Sequence, residues 1–287
     1  MLVTALLFGG GLLFWVGLCA GRRRGWRAGA VLLGLALAGL AGAGGVHPAF
    51  LPALAGMIAL AWALETSRGP AAAAVGRAVG WACFVLLVLA LGFRLLPGLT
   101  PVVLLEVGGE ALRFPPEKLL LLGLVPPLVL AAVAPARPWG RERPVRTFLL
   151  ALAVTLSVLI PLALLLGHAR PGWTDVPLPR LAYGLAYNFL FVCVLEESFF
   201  RGIVQTALVR GARRRGWPRA DVLAVLGASV LFGGVHLGGG IEFALLATLA
   251  GLGYGTVYYW TGCLHYAVLL HFAVNAVHLL AFAAPAV

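Results

Sequence analysis

The sequence predicts an all-α, polytopic transmembrane helical bundle, and three observations carry that expectation. Of 287 residues, 62% are hydrophobic and only 11% charged, with a mean hydropathy of +1.01; soluble globular chains are far more polar. Apolar runs near the ~20 residues that a helix needs to cross a bilayer recur along the whole chain. Arginines gather in alternate connections between those runs, the pattern that sets membrane topology.

Taken in order, the runs fall at 2–20, 28–46, 49–66, 78–97, 118–135, 147–167, 181–207, 222–238, 242–260 and 263–284, or about ten spans. The arginines of the first run follow it rather than precede it, the reverse of a secretory signal peptide. Leu18 before Cys19 is bulky where a lipoprotein cleavage site needs a small residue, so the first run is expected to be retained. The basic connections are 21–27 (GRRRGWR), 67–77 (with Arg68 and Arg77), 136–146 (ARPWGRERPVR) and 208–221 (LVRGARRRGWPRAD). They alternate in the ten-span order, which places both termini outside. The intervening connections are less basic: 98–117 sets Glu106, Glu110 and Glu117 against Arg113, and 168–180 sets Asp175 against Arg170 and Arg180. The expected division is an N-terminal transmembrane region, 1–146, and a second region, 147–287, whose motifs lie within 181–284. The expected location is a bacterial inner membrane, crossed many times.

Charge and cysteine usage exclude other classes. The formal charge is +11, but the arginines lie between apolar runs rather than on one soluble face, which argues against nucleic acid as a partner. Cys19, Cys83, Cys193 and Cys263 are scattered without a CxxC pair, so no disulfide framework is expected.

Charged groups inside a span cost about 2.5 to 3.5 kcal/mol each on insertion scales and are functional candidates by default. The last four runs hold most of them. In L-E-E-S-F-F-R (195–201), Glu197 and Arg201 stand at i and i+4 and can pair, while Glu196 points about 100° away. In L-F-G-G-V-H (231–236), Phe232 and His236 stand at i and i+4. In H-F-A-V-N-A-V-H (271–278), His271, Asn275 and His278 fall within about 60° of one another. Glu196 lies twenty residues before Gly216 and His236 twenty after it, so an antiparallel hairpin turning at Gly216 sets them at similar depth. His271 is only about eight residues from its own connection at 261–263, and tilt or a longer helix is needed to bring it to that depth.

A carboxylate beside an imidazole in a low-dielectric pocket can activate water as a nucleophile. A second histidine with an asparagine can donate to the oxyanion that forms when that water attacks a carbonyl. The residues thus form a hydrolase constellation: Glu196 as base, His236 as its partner, Glu197 and Arg201 as electrostatic frame, His271 and Asn275 as oxyanion donors. Glu with two His is also a catalytic zinc ligand set. No HExxH is present, and the residues leave metal-bound and metal-free water both open.

E-E-S-F-F-R, F-G-G-V-H and H-F-A-V-N, in that order on successive apolar segments, resemble the EExxxR, FxxxH and HxxxN motifs of the CAAX-processing and bacteriocin-processing (CPBP) family of intramembrane proteases. The resemblance covers about 181–284; each motif is weak alone, and three in order are specific. It implies peptide-bond hydrolysis, with Glu196 and His236 activating water, His271 and Asn275 at the oxyanion, and Glu197 and Arg201 supporting. The family has been described both as metal-dependent and as glutamate-type; the glutamate type, with no cofactor, is the expectation taken here, with a divalent metal such as zinc as the alternative. The implied partners are a membrane-anchored protein or peptide substrate and the bilayer. Some members cleave prenylated CAAX proteins, others process peptides, and a subset resembling myxosortases trims C-terminal sorting signals. Residues 1–180 carry no such likeness.

Two other classes stand beside this reading: a proton-coupled transporter using the same ionisable residues as a relay, and a non-catalytic immunity or scaffold protein on the same fold. Residue by residue, the simpler expectations are structural. Glu197 and Arg201 can lock helices together. His265, His278 and Asn188 read as packing or pocket lining, Cys193 as an inert thiol, and Tyr254, Tyr258, Tyr259 and Trp260 as an interfacial belt.

Overall fold

The computed structural model describes residues 2–20, 23–66, 72–107, 109–132, 144–172, 174 and 176–283. Much of the expected basic connections, 21–22, 67–71 and 136–143, lies outside the described residues, as does Asp175. Among the described residues the chain forms ten helices: α1 (Leu2–Cys19), α2 (Arg23–Gly42), α3 (Leu51–Thr66), α4 (Ala72–Gly92), α5 (Pro116–Ala132), α6 (Pro144–Leu165), α7 (Leu178–Arg214), α8 (Ala220–Val235), α9 (Ile241–Thr261) and α10 (Leu264–Ala281). The fold is the mostly helical one that the composition predicts. Four of them, α6, α7, α9 and α10, are by themselves long and apolar enough to cross a membrane. Shorter apolar helices occupy Leu2–Gly17, Arg27–Gly42, Pro48–Leu60, Ala78–Gly92 and Ala220–Val235.

Two β elements were not foreseen. The connection after α4 contains an antiparallel hairpin of β1 (Val102–Val107) and β2 (Glu110–Phe114). Its residues are rich in valine and leucine, which suit a pleated strand. Gly109 takes φ +83° at the turn, a conformation that glycine adopts without strain. The second is a two-residue ladder, β3 (Arg170–Pro171) against β4 (Phe282–Ala283).

The chain divides into two compact units, one of Met1–Ala132 with Pro177–Phe191, the other of Val133–Val176 with Val192–Val287. In the first, α1 and α2 cross so closely that a Cβ on Gly29 would overlap the backbone of Phe14. Phe114 at the end of β2 is fully buried and meets Phe191 edge to face at 4.9 Å. Tyr183 donates to the Arg113 carbonyl at 3.2 Å, Arg180 pairs with Glu110, and the buried Glu117 with Arg94.

In the second unit α8 and α9 form the tightest crossing. Lipid gives apolar side chains no drive to associate, so membrane helices meet through small residues that let backbones approach. Here Gly233 of α8 faces Ala244 and Thr248 of α9, and Ser229 faces Gly251. Thr248 satisfies its own hydroxyl on the Ala244 carbonyl at 2.8 Å. The turn from α7 to α8 falls where expected, with Gly216 at φ +66°, followed by Arg219 at φ +54°.

A Cβ at Gly233 would overlap the Thr248 hydroxyl and come within 2.6 Å of the Ala244 carbonyl oxygen. Gly233→Ala is therefore expected to cost about 1 to 3 kcal/mol through overpacking, measured as lowered thermal or denaturant stability in detergent. Gly234→Ala, whose Cβ would meet nothing within 4 Å, should be near neutral in the same measurement.

Candidate active site

The site is built on the middle of α7. A short α-helical turn, Val194–Glu197, lies between two π-helical stretches, Phe189–Cys193 and Ser198–Gln205. Such wider turns shift the hydrogen bonding to i→i+5 and cluster at functional sites. Thr206 adapts to the altered ladder by donating its hydroxyl to the Arg201 carbonyl, five residues back, at 2.9 Å. On the short turn the two glutamates diverge. The Glu197 side chain is fully buried, whereas that of Glu196 is 26% exposed.

Glu197 holds two partners. Its Oε2 accepts from Arg201 Nε at 2.9 Å, and its Oε1 accepts from His271 Nδ1 of α10, also at 2.9 Å. The pair expected within one helix is thus a three-member chain joining α7 to α10. Arg201 is wholly buried, its guanidinium 5.3 Å from the centroid of Phe232 and 5.9 Å from that of Tyr254. Aromatic faces of this kind stabilise a desolvated cation. Gly251 and Gly255 of α9 make the room: a Cβ on either would lie 3.4 to 3.5 Å from the Arg201 terminal nitrogens.

The α9–α10 turn at Gly262 lies beside the second half of α7, since Gln205, Thr206, Val209, Tyr258 and Gly262 border one small cavity, and from that turn α10 brings His271 to Glu197.

His236 departs from the expected position. α8 ends at Val235, and His236 is its cap residue, with φ −95° and ψ 1°, rather than a residue of the helix interior. Two glycines in L-F-G-G-V-H favour this early ending. The Phe232 carbonyl accepts from His236 Nδ1 at 2.7 Å. In the neutral ring this fixes the proton on Nδ1 and leaves the Nε2 lone pair exposed. That Nε2 lies 3.9 Å from Glu196 Oε2, which is buried and has no hydrogen-bond partner among the described residues.

Glu196, His236, His271 and Asn275 all border one cavity of about 250 Å³. Its other walls are mainly apolar, with Leu159 and Ile160 of α6, Leu246 and Ala250 of α9 and Val274 of α10 among them. Asn275 Nδ2 lies 3.8 Å from Cys193 Sγ. Glu197 and Arg201 do not border the cavity; they stand behind His271. Tyr254, expected in an interfacial belt, is 1% exposed and stacks on His271 with centroids 4.6 Å apart and planes within 15°. Of that cluster only Trp260, 46% exposed, has the surface position a belt requires. Tyr258 and Tyr259 are part-buried, within hydrogen-bonding distance of Thr206 and Asp221 respectively. His168 and Phe243, which the sequence did not single out, stack at 5.1 Å on the cavity wall near His278. The spacing of Tyr254 between Gly251 and Gly255 is the one sequence signal that pointed inward.

A catalytic zinc site takes three protein ligands. Among the described residues no three His, Cys, Asp or Glu side chains converge to hold a metal. His271 Nδ1 and both Glu197 oxygens are engaged with each other and with Arg201, whereas Glu196, His236 and the other ring nitrogen of His271 border the cavity.

Comparison with known protein families gives a match over part of the chain. Residues 178–277, which contain all six site residues, match the family model described as "Rce1-like: Type II CAAX prenyl endopeptidase Rce1-like". No curated protein and no solved structure matches the chain. Within an integral membrane protein, residues 178–277 thus form an Rce1-like domain, consistent with the CPBP family of intramembrane endopeptidases.

Proposed function

We propose that this protein is a glutamate-type intramembrane endopeptidase that hydrolyses a peptide bond in a membrane-associated protein or peptide. The observation that carries this reading is the pair of acceptors, Glu196 Oε2 and His236 Nε2, 3.9 Å apart at the wall of an apolar cavity. The separation is too long for a direct hydrogen bond and suits one water donating to both.

In this mechanism Glu196 takes a proton from the water as its oxygen attacks the scissile carbonyl. The oxyanion is met by Asn275 Nδ2 and by His271 through Nε2, the ring being held at Nδ1 by the Glu197 carboxylate. Collapse of the tetrahedral intermediate breaks the C–N bond, and the proton on Glu196 passes to the leaving amine. Phe232 acts through its carbonyl, which orients His236, and Tyr254 through the ring that stacks on His271. Glu197 holds His271 at the required angle, and Arg201 balances its charge. The apolar walls suit an extended, apolar stretch of substrate reaching the cavity from lipid. A bacterial inner membrane is the proposed location.

Glu196→Gln and His236→Ala should each lower cleavage by about 10² to 10⁴, with melting temperature and membrane insertion unchanged. The assay is cleavage in proteoliposomes of a membrane-anchored protein that accumulates uncleaved in a deletion strain. Wild-type rates in either variant would remove the mechanism. Asn275→Ala should lower kcat by about 10² to 10³ with little change in KM, as for loss of one oxyanion donor. Glu197→Ala should behave differently from all of these. It leaves Arg201 buried without its counter-charge, at a cost of about 3 to 5 kcal/mol, so its stability should fall together with its activity.

A further inference from the structure

Behind Arg201, on the side away from the substrate cavity, lies a second polar space to which no role has been given. It is a cavity of about 20 Å³ bordered by Gln205, Thr206, Val209, Tyr258, Tyr259 and Gly262. A space of about 10 to 15 Å³ is enough for one water, provided two or more polar groups face it. Gln205 is 2% exposed; its Nε2 donates to the Gly255 carbonyl at 3.0 Å, and its Oε1 has no partner among the described residues. Buried polar atoms are nearly always served by protein or by ordered water. A Cβ on Gly255 would lie 2.9 Å from that Oε1 and 3.5 Å from Arg201 Nη1, so Gln205 and Arg201 border the same glycine-made space.

The hydroxyls fix the polarity of the cavity. Thr206 Oγ1 donates to the Arg201 carbonyl at 2.9 Å, so in its 3.3 Å contact with Tyr258 it is the acceptor and the tyrosine is the donor. Tyr258 then retains a lone pair, and Gln205 Oε1 offers another. Both of these groups are acceptors, which water can satisfy with its two protons; on the Gly255 side of Gln205, Arg201 Nη1 is a buried donor without a partner among the described residues.

We infer that Gln205 and Tyr258 hold one ordered water in this cavity, and that Gln205, so fixed, is a positioning residue for the Arg201–Glu197–His271 chain. The water closes the last unpaired acceptor of Gln205 and keeps its amide on the Gly255 carbonyl. That contact sets the distance between α7 and α9 at the point where Gly251 and Gly255 wall the guanidinium. The kinetic part of the inference rests on the peptidase reading; the water site does not.

Radiolytic hydroxyl-radical footprinting in nanodiscs, with brief mixing into H₂¹⁸O, reads side chains beside bound water. Tyr258 should take up label in the wild type and lose it several-fold in Gln205→Met, whose side chain is unbranched and of similar length. Thr206→Ser keeps its hydroxyl and should label as the wild type. Should Gln205→Met fold poorly, Tyr258→Phe removes the other partner and should lower labelling at position 258 in the same way. The Glu196→Gln protein should label as the wild type, so failure of the peptidase mechanism and failure of the water site give different results. Gln205→Met should also lower kcat several-fold with KM unchanged, because Gln205 does not border the substrate cavity. Absence of label at Tyr258 in the wild type, or label unchanged in both variants, would overturn the water site; normal kcat in Gln205→Met would overturn the positioning role.

Discussion

A guanidinium cannot shed its charge in a protein, and Arg201 carries one at 0% exposure inside a helical bundle. Burying an ion costs several kcal/mol unless it is paired. Much of the second unit reads as a response to that single charge. Glu197 supplies the counter-charge one turn away, Phe232 and Tyr254 supply aromatic faces, and glycines on α9 supply volume. The same groups then determine where His271 stands, because the second oxygen of Glu197 binds it. A charge that is costly to bury also fixes the register of three helices.

The reactive groups take the opposite treatment. Glu196 keeps a buried Oε2 without a hydrogen-bond partner among the described residues, and His236 Nε2 stands 3.9 Å from it across a gap, on the cavity side of the same bundle. Glutamates adjacent in sequence therefore have opposite tasks: one is closed on both oxygens, the other kept open. The rigid half permits the open half, since an unpaired carboxylate keeps its orientation only when its helix cannot turn.

The sequence foretold the helical class because lipid demands long apolar runs, and each expected run has a helix at its position. It also brought the six site residues to notice, because ionisable groups at membrane depth are conspicuous in any apolar chain. Other features escaped for definite reasons. The β1–β2 hairpin lies in a connection where only charge had been weighed. The early end of α8 at Val235 depends on local backbone geometry, which apolar periodicity does not report. Tyr254 read as an interfacial residue because three aromatic neighbours follow it. Its burial depends on Gly251 and Gly255 facing Arg201, a relation between helices that a single helix cannot reveal. The second partner of Glu197 was hidden likewise: its spacing to Arg201 is local, whereas its bond to His271 spans 74 residues.

The π-helical stretches on either side of Val194–Glu197 alter what a motif's spacing means. Each wide turn admits a residue beyond the ordinary complement, so the angular phase of α7 before Phe189 and after Gln205 is not continuous with that of the glutamates. A helical wheel drawn through the whole of α7 would assign faces wrongly at both ends. Sequence distance along this helix is a measure of order, not of direction. A one-residue deletion in either stretch could restore regular winding and turn the acid pair to a different wall of the bundle without changing a single motif residue.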